Sequence, residues 1–324
     1  MLKNENYKNI FKCGKTYVVL PHIYPDGDTI GSSVSIYNYL KTISDDVHLV
    51  LNDPLPENLE FLDNGNFTPS HDFEELNIKN YTVVAIDSSD LTRIEDRINI
   101  VEKAEFVYNI DHHITNINYG NVNIVEVDAS STGEVIFKIL SDNDYQFEKE
   151  DLNAIYAAIS TDTGSFKYSN TSAVAMRIVA ELIDRGLDIN FVNVALYQNK
   201  PFKQIKTLNL ALSTLKLKFD DRVAIGYINK DILRENNLYD PETDGVVEFF
   251  RDIKGVEVSI FLKEAETDTY KVSLRSKYDF NVSNLAMRFG GGGHIKAAGC
   301  KLFGDIDTVM FKLNEALREE LDNE

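Results

Sequence analysis

Short apolar runs that end abruptly at polar residues dominate the N-terminal half of the chain. The clearest of them cover residues 17–20, 82–86 and 106–110. Strands that are apolar on both faces are typical of a parallel sheet covered by helices on both sides. Between the runs, apolar residues recur at helical spacing, as at Ile30, Val34 and Tyr37, which indicates amphipathic helices. This alternation predicts an α/β domain with a doubly wound, mainly parallel sheet.

Local signals set the expected boundaries of the other elements in this half. A short helix and connector are expected over residues 5–16, and the first long helix is expected to begin near Ile30, after a turn through Gly27. Ser131 and Glu134 have the spacing of a capping box at a helix start. The remaining predictions are a strand over 47–51, a helix over 151–160 that leads to Asp162, and a helix over 173–186 that Gly186 closes.

The pattern changes near residues 187–205, where a polar segment interrupts it and a long helix reaching Leu217 is predicted to follow. Beyond this helix, apolar and polar residues alternate, which is typical of half-buried antiparallel strands. The predicted strands cover residues 223–228, 256–263 and 269–274, with a helix over 244–250. We therefore divide the chain into an N-terminal domain (1–190), a connecting helix (191–215) and a smaller α+β domain (216–324).

The composition favours two hydrophobic cores and disfavours a long polyanionic partner. Of the 324 residues, 43% are hydrophobic, and 33 basic against 52 acidic residues give a formal charge of −19. Such a charge is unsuited to gripping long nucleic acid through its phosphates. A polyanionic substrate must therefore be short, or be held where metal ions and a few local basic residues overturn the global field.

Cysteine content and the N-terminal residues bear on the compartment. Cys13 and Cys300 lack paired spacing, so neither a disulfide framework nor a zinc knuckle is expected. The first residues are polar, and no apolar run approaches the roughly 18 residues of a membrane span. We expect a cytoplasmic protein in reducing conditions, without export or membrane anchoring.

Carboxylates and histidines follow several of the predicted elements at their carboxyl ends. The residues concerned are His22, Asp26 and Asp28, then Asp87, then Asp111, His112 and His113, and finally Asp162. In open α/β sheets such positions converge on one crevice. Carboxylates packed closely repel each other unless a cation lies between them, and carboxylate oxygens with imidazole suit Mn²⁺ or Mg²⁺. Turn formation alone could explain the Pro-Asp-Gly-Asp loop, but four coinciding segments favour a metal site.

Two stretches of the C-terminal half could contact an anion. Lys271, Ser273 and Arg275 share one face of a predicted strand, and the planar Arg275 guanidinium suits bidentate phosphate binding. Four consecutive glycines, 290–293, are costly to order, and their backbone N–H groups could form an anion-binding nest. A surface strand and a flexible hinge are the plainer interpretations of these stretches.

Taken in order, these motifs resemble those of the DHH phosphoesterase superfamily. The motifs are His22-Ile-Tyr-Pro-Asp26-Gly-Asp28, Asp87, Asp111-His112-His113, Asp162 within Ser-Thr-Asp-Thr-Gly, and Gly290-Gly-Gly-Gly-His294. Their spacing most resembles the nano-RNase branch, small oligoribonucleases that also dephosphorylate 3′-phosphoadenosine 5′-phosphate (pAp). The resemblance covers nearly the whole chain. It implies a catalytic DHH domain followed by a DHH-associated substrate-binding domain, with the active site in the cleft between them.

The resemblance also implies roles for individual residues. One Mn²⁺ ion would be held by His22, Asp26 and Asp87, and a second by Asp28, Asp87, His112 and Asp162, with Mg²⁺ or Co²⁺ as substitutes. Asp111 would orient His112, and His113 would bond the phosphate or assist the leaving oxygen. The residues implied to bind the nucleotide are Arg275, Ser276, Lys277, Gly291, Gly292, Gly293 and His294.

The implied activity is hydrolysis of short oligoribonucleotides and mononucleotide bisphosphates, with no membrane and no long double-stranded nucleic acid as partner. A phosphodiesterase for cyclic di-AMP or its linear product pApA has the same core and stays open as an alternative. A nucleotide-sensing module with a decayed site is the non-enzymatic alternative, and the presence of all six metal ligands argues against it. The oligomeric state is also left open, with a homodimer as one option.

Overall fold

The protein divides into two compact units in a computed structural model that describes residues 6–63, 65–239 and 241–321. The first unit covers Met1–Asn199 and the second covers Lys200–Glu324. Each unit contains a six-stranded sheet, so the predicted mixed α/β class is confirmed. Among the described residues, no helix combines the length and the apolar character needed to cross a membrane.

A parallel sheet forms the centre of the first unit. Its strands are β1 (Tyr17–Leu20), β2 (Val47–Val50), β3 (Phe67–Thr68), β4 (Thr82–Ile86), β5 (Phe106–Asp111) and β6 (Val122–Val125). They lie in the order β3-β2-β1-β4-β5-β6, and every neighbouring pair is parallel. The strand order reverses between β1 and β4. In sheets of this kind, ligands bind beyond the carboxyl ends of the strands at such a reversal.

Helices cover both faces of this sheet. They are α1 (Gly27–Ile43), α2 (Ser70–Glu75), α3 (Ile98–Glu102), α4 (Thr132–Asp142), α5 (Lys149–Asp162), α6 (Ala173–Asp184) and α7 (Ile189–Asn193), with short 3₁₀ turns at 57–62, 91–93 and 95–97 and a π-helical turn at 194–198. Tyr17 and Val19 of β1 pack with α1, α4 and α5, whereas Val18 and Leu20 pack with α2 and α3. Because successive residues of β1 enter different cores, its sequence is apolar throughout.

Two expectations for this unit are wrong. Residues 6–16 form turns instead of a helix, and Asn9 and Gly14 have φ values of 57° and 69°, which interrupt a right-handed helix. In addition, α1 begins at Gly27 and not near Ile30, because the Asp26 carboxylate accepts hydrogen bonds from the amides of Asp28 and Thr29 and caps the helix there. Asp28 therefore lies in the first turn of α1.

The second unit is built on a mixed sheet. Its elements are α8 (Phe202–Thr214), β7 (Lys216–Lys218), β8 (Val223–Ile228), α9 (Lys230–Glu235), α10 (Val246–Arg251), β9 (Val258–Glu266), β10 (Thr269–Ser276), α11 (Val282–Met287), β11 (Gly292–His294), β12 (Ala297–Phe303) and α12 (Ile306–Leu321). The strand order is β11-β12-β10-β9-β8-β7. Leu262 and Val272 pack with α11 and α12 on one face, whereas Phe261 packs with α8 and α10 on the other.

Two further expectations are corrected in this unit. β8 pairs with β9 in parallel and not antiparallel, and its residues enter both cores, which a parallel strand covered by helices on two sides requires. The helix predicted to reach Leu217 ends at Thr214, because Leu215 adopts an extended backbone and Lys216 begins β7.

Close packing of α1 against α5 depends on Gly31. A Cβ atom at this position would lie 2.2 Å from the carbonyl oxygen of Ala154 in α5. We expect Gly31→Ala to lower the free energy of unfolding by about 1–3 kcal/mol through overpacking, although alanine favours a helix over glycine by roughly 1 kcal/mol. Thermal unfolding followed by circular dichroism measures the change.

The matched control in the same helix is Ser33→Ala. The buried Ser33 hydroxyl has no hydrogen-bond partner, so its removal should leave the stability unchanged or raise it. Equal stability of Gly31→Ala and the wild type would show that α1 and α5 can separate without loss.

Candidate metal centre

The loop after β1 places three side chains at the point where the strand order reverses. His22 is almost completely buried, with 1% of its surface exposed, and its backbone N–H donates to Thr29 Oγ1 at 3.1 Å. Asp26 caps α1 by accepting from the amides of Asp28 and Thr29 at 3.1 and 3.0 Å. The cap and the strand end together aim His22 and Asp26 at each other, with 3.6 Å between Nε2 and Oδ2.

Asp28 is held by the start of a different helix. Its carboxylate accepts from the backbone amides of Thr132 and Gly133, at 2.7 and 2.8 Å, and from the Ser32 hydroxyl at 3.1 Å. The N-terminus of α4 therefore supplies the partial positive charge that a buried carboxylate needs. Burial, with repulsion from Asp87 and Asp162, nevertheless raises the pKa of Asp28 well above its usual value. The site holds more negative charge than its amide donors neutralise.

Asp87 follows β4 and occupies the centre of the arrangement. Its carboxylate lies 3.4 Å from His22 Nε2, 3.9 Å from His112 Nε2 and 3.5 Å from His113 Nδ1. The Thr132 hydroxyl donates to its Oδ1 at 2.8 Å. Asp87 has φ of 57°, a left-handed conformation that aspartate tolerates better than most residues. This turn directs the carboxylate back over the strand ends.

His112 and Asp162 complete a second group with Asp28. His112 Nε2 lies 3.6 Å from Asp162 Oδ2 and 3.8 Å from Asp28 Oδ2, and Asp162 is the last residue of α5. Burial raises the pKa of Asp162 to about 6; His112 opposes this shift and Asp87 adds to it. Three groups of side chains could thus hold a cation: His22, Asp26 and Asp87; Asp28, His112 and Asp162; and Asp87, His112 and His113.

The histidine contacts test whether a cation fits. His22 Nδ1 lies 2.7 Å from the Ile23 carbonyl oxygen and His112 Nδ1 lies 3.3 Å from that of Ala129, so each Nδ1 carries the proton in the neutral ring. Each Nε2 then presents a lone pair to carboxylate oxygens, and the buried Nε2 of His112 has no hydrogen-bond partner. Separations of 3.4–3.9 Å exceed a hydrogen bond. They are in the range expected between two ligand atoms that each lie about 2.1 Å from the same ion.

A proton on His22 is the alternative means of balancing the negative charge of the clustered carboxylates. Burial alone would lower the pKa of His22, but Asp26 and Asp87 outweigh it and raise the pKa to about 9. Without a cation, His22 is therefore an imidazolium. A bound cation would compete with that proton for Nε2, because a histidine must be deprotonated to bind a metal. The donor set of carboxylate oxygens and imidazole nitrogens fits a divalent ion such as Mn²⁺ or Mg²⁺.

Asp111 contacts the ring of His113 and not that of His112. Its Oδ1 accepts from His113 Nδ1 at 2.7 Å, but it reaches only the backbone amide of His112, at 2.8 Å. The expectation that Asp111 orients the ring of His112 is therefore wrong, because the Ala129 carbonyl has that position. Burial opposes protonation of His113, yet Asp111 and Asp87 raise its pKa to about 9.

Sequence reasoning missed the main-chain part of this site. Ser131 does cap α4 by accepting from the Glu134 amide, but Glu134 accepts from Ser130 instead of closing the capping box. The two residues between them, Thr132 and Gly133, donate their amides to Asp28. Backbone donors carry no residue-type signature, and only the helix start at Ser131 could have indicated them.

The residues predicted to bind a nucleotide differ in accessibility. Arg275 is partly exposed on the face shared by Lys271 and Ser273, with Nε donating to Glu248 at 2.8 Å and Nη1 to its neighbour's carbonyl. Ser276 points the other way, is 2% exposed and has an unpartnered Oγ. Lys277 Nζ donates to the Ile253 carbonyl at 2.9 Å. Arg275 also lines a cavity of about 450 Å³.

The glycine run is ordered by other contacts. The amides of Gly290 and Gly291 donate to Met287 and Ala286 at the end of α11, so these two N–H groups are not available to the predicted anion nest. Gly292 and Gly293 pair with β12. Cβ atoms at Gly291 and Gly293 would lie 2.2 and 2.5 Å from β12 carbonyl oxygens, whereas one at Gly292 meets open space. The side chain of His294 lies outside the described part of the chain.

The doubly wound sheet with clustered aspartates and histidines at its reversal point, and the mixed unit that follows it, coincide with the two domains of a phosphoesterase family. Residues 16–160 match the DHH family, N-terminal domain, and residues 220–321 match the DHHA1 domain. The chain belongs to the DHH family, and the resemblance found in its motifs is confirmed. It is therefore an enzyme that hydrolyses phosphoric esters.

Relatives of known name agree with this assignment. The chain is 31% identical over 314 residues to the bifunctional oligoribonuclease and PAP phosphatase NrnA of Thermus thermophilus, covering 95% of this chain and 90% of that protein. It is 27% identical to the probable bifunctional oligoribonuclease and PAP phosphatase NrnA of Streptococcus mutans, covering 96% of both. An exopolyphosphatase-related protein from Bacteroides fragilis has a similar structure, with a TM-score of 0.84, 26% identity, and coverage of 95% and 92%.

Proposed function

We propose that this enzyme hydrolyses phosphoester bonds in short oligoribonucleotides and in pAp, with bound Mn²⁺ as its cofactor. The observation that carries the proposal is the convergence of seven carboxylate and imidazole side chains, six of them proposed metal ligands, at one edge of the sheet. The 31% identity to a relative named as an oligoribonuclease and PAP phosphatase supports the substrate class.

The proposed ligands fall into two sets that share Asp87. His22, Asp26 and Asp87 would hold one ion, and Asp28, His112 and Asp162 would hold a second together with Asp87. When bound, two such ions supply positive charge to phosphoryl oxygens and lower the pKa of water. Mg²⁺ and Co²⁺ are proposed substitutes, because the donor set is not specific to manganese.

The protein's own groups would keep these ligands in place. The Thr132 and Gly133 amides hold Asp28, and the Thr132 hydroxyl holds Asp87, so one helix start orients two ligand carboxylates. Backbone carbonyls fix the ring orientation of His22 and His112.

His113 is proposed to contact the reacting phosphate. Asp111 fixes its ring through Nδ1 at 2.7 Å, and 31% of the side chain is exposed. A ring held in this way can donate a hydrogen bond to a phosphoryl oxygen or assist the leaving oxygen. Arg275, Lys277, the glycine run and His294 are proposed to hold the nucleotide, with the guanidinium as the main phosphate contact. Ser276 is proposed to support this strand end from inside the unit.

Product analysis on a substrate panel tests the proposal. We expect turnover of pApA and pAp in the presence of Mn²⁺, and turnover that falls steeply on RNA of about 25 nucleotides, because a chain of charge −19 cannot track a long phosphate backbone. Cyclic di-AMP is the fourth substrate. Faster turnover of cyclic di-AMP than of pApA would indicate that the enzyme is a signalling phosphodiesterase instead.

An Asp87→Asn preparation is the control for contaminating nucleases. Equal efficiency on a dinucleotide and on the long RNA would contradict the proposed length selectivity. Absence of turnover on every substrate in Mn²⁺, Mg²⁺ and Co²⁺ would contradict the proposed function itself.

A further inference from the structure

Three lysines lie side by side on one face of the second sheet. The register places Lys271 of β10 directly opposite Lys263 of β9 and opposite Lys301 of β12. Residues paired across antiparallel strands are on the same face, with Cβ atoms about 4.5–5.5 Å apart. We call Lys263, Lys271 and Lys301 the lysine row. Like charges directly opposite each other destabilise a sheet, so folding alone gives no reason for this row.

The surrounding residues do not neutralise the row. None of the ion pairs between described residues involves its three lysines, and Lys263 Nζ makes only a 3.3 Å contact with the Pro241 carbonyl. Lys271 and Lys301 are exposed. In a chain with a formal charge of −19, an uncompensated row of ammonium groups stands out against the acidic surface.

The row borders a cavity that also contains Arg275. This cavity has a volume of about 450 Å³, and its walls include Lys263, Lys271, Ser273 and Arg275. Arg275 lies four residues from Lys271 on the same face, which is about 13 Å along a strand. Two carboxylates also line the cavity: Glu248, which is bonded to Arg275 Nε, and Asp244.

Small residues separate the row from Arg275. Between the two cationic positions, Ser273 pairs with Gly299, and Gly299 pairs with Gly292. A Cβ atom at Gly292 would meet open space. On the β9 side Ser273 pairs with Phe261, which packs with α8 and α10. Towards β12 and β11 the surface between the two sets of cations carries no bulky side chain, so an extended polyanion can lie across that side.

We infer that the lysine row is a subsite for phosphates of an oligoribonucleotide beyond the nucleotide that Arg275 holds. This inference rests on the proposed function and specifies its substrate. Lysine ammonium groups are mobile point charges that suit phosphate contacts without base selectivity. The strand register thus assembles a short basic strip on a chain whose formal charge is −19. It favours RNA of about three to five nucleotides over a dinucleotide, and pAp does not reach it.

Steady-state kinetics of the full chain with Mn²⁺ test the inference through Lys271→Gln and the double variant Lys271→Gln/Lys301→Gln. For a tetranucleotide we expect KM to rise by about three- to tenfold per lysine with little change in kcat, and the slope of log KM against log salt to fall by about 0.7 per lysine. The change in KM for pAp should stay below about twofold. Lys216→Gln is the matched control, because Lys216 is an exposed strand lysine paired with Ile225.

Stability supplies a second signature. Removing two charges from the row should raise Tm by about 1–4 °C, because the repulsion is relieved, whereas Lys216→Gln should leave it unchanged. A variant that becomes more stable while losing affinity for the tetranucleotide excludes simple unfolding as the cause.

Two results would overturn the inference. One is an unchanged KM and salt slope for the tetranucleotide in the double variant, and the other is an equal loss on pAp and on the tetranucleotide. Failure of the proposed function is distinguished by the wild type, which would then hydrolyse neither substrate. In that case, fluorescence anisotropy measures binding of a labelled tetranucleotide to Asp87→Asn protein, with and without the Lys271→Gln/Lys301→Gln substitutions. Equal affinity of the two proteins would show that the lysine row is not a subsite.

Discussion

Asp87→Ala is expected to lose more than about a thousandfold in hydrolysis of a dinucleotide, and excess Mn²⁺ should not restore it. The reason is position. Its carboxylate lies within 4 Å of nitrogens from His22, His112 and His113, so its loss removes a ligand from both proposed ion sites together. A ligand that belonged to one site would only weaken one affinity, and added metal would compensate.

Backbone strain complicates the alanine variant, and Asp87→Asn separates the two effects. At φ of 57°, alanine is strained by about 1 kcal/mol or more, whereas asparagine tolerates this conformation. Asp87→Asn also retains an oxygen for the Thr132 hydroxyl. We expect it to fold like the wild type and to be as inactive as the alanine variant.

Asp90→Asn is the control for a carboxylate on the same segment. Asp90 caps the 3₁₀ turn at 91–93 by accepting from the Thr92 amide, and asparagine caps equally well. Activity should therefore persist. If well-folded Asp87→Asn hydrolysed pApA at a rate close to that of the wild type, the proposal that Asp87 is a ligand of two ions would be contradicted.

Arg275→Ala is expected to lower kcat/KM for a dinucleotide by about ten- to a thousandfold, because a guanidinium can make two charge-assisted bonds to phosphate, each worth roughly 1.5–3 kcal/mol. A small activated ester needs no such grip, so hydrolysis of bis-p-nitrophenyl phosphate should change little. Asp28→Ala should abolish both activities, because it removes a proposed metal ligand that two helix amides hold.

Glu248 decides how this result is interpreted. It accepts from Arg275 Nε at 2.8 Å, so the guanidinium is partly engaged before any substrate arrives. Glu248→Gln keeps the shape and removes the charge, and nucleotide binding should be retained or strengthened. If Arg275 and Glu248 instead formed a structural pair, both variants would be less stable than the wild type. Neither variant would then lose dinucleotide hydrolysis more than hydrolysis of the small ester. Parallel loss of both activities in well-folded Arg275→Ala would contradict a role limited to holding the nucleotide.

The strands of the first unit, and the clustering of carboxylates and histidines at their ends, could be predicted from the sequence for a physical reason. A strand buried on both faces must be apolar at every position, so β1, β4 and β5 were recognisable, and a carboxylate directly after such a strand has few structural roles. The start of α1 was harder. The Pro-Asp-Gly-Asp sequence predicts a loop, and the capping bonds of Asp26 depend on a backbone conformation that residue types do not reveal.

Contacts made by the main chain, and the direction of strand pairing, escaped prediction. Thr132 and Gly133 act through their amides, which every residue except proline possesses. The alternation in β8 and β9 is compatible with either pairing direction, and the parallel one goes with the helical connection through α9 and α10 between these two strands. The lysine row is a third case, because Lys263, Lys271 and Lys301 become neighbours only through the register of three strands.

The six proposed ligands come from four separate segments, and together they span most of the first unit. An ion bound among them would act as a cross-link between the first loop and the end of α5, in the way that a disulfide closes a long loop. Binding energy at such a site is also folding energy. Metal supply would then determine how long the protein survives proteolysis, as well as whether it is active. In a cell short of the metal, the ion-free enzyme would be degraded instead of accumulating in an inactive form.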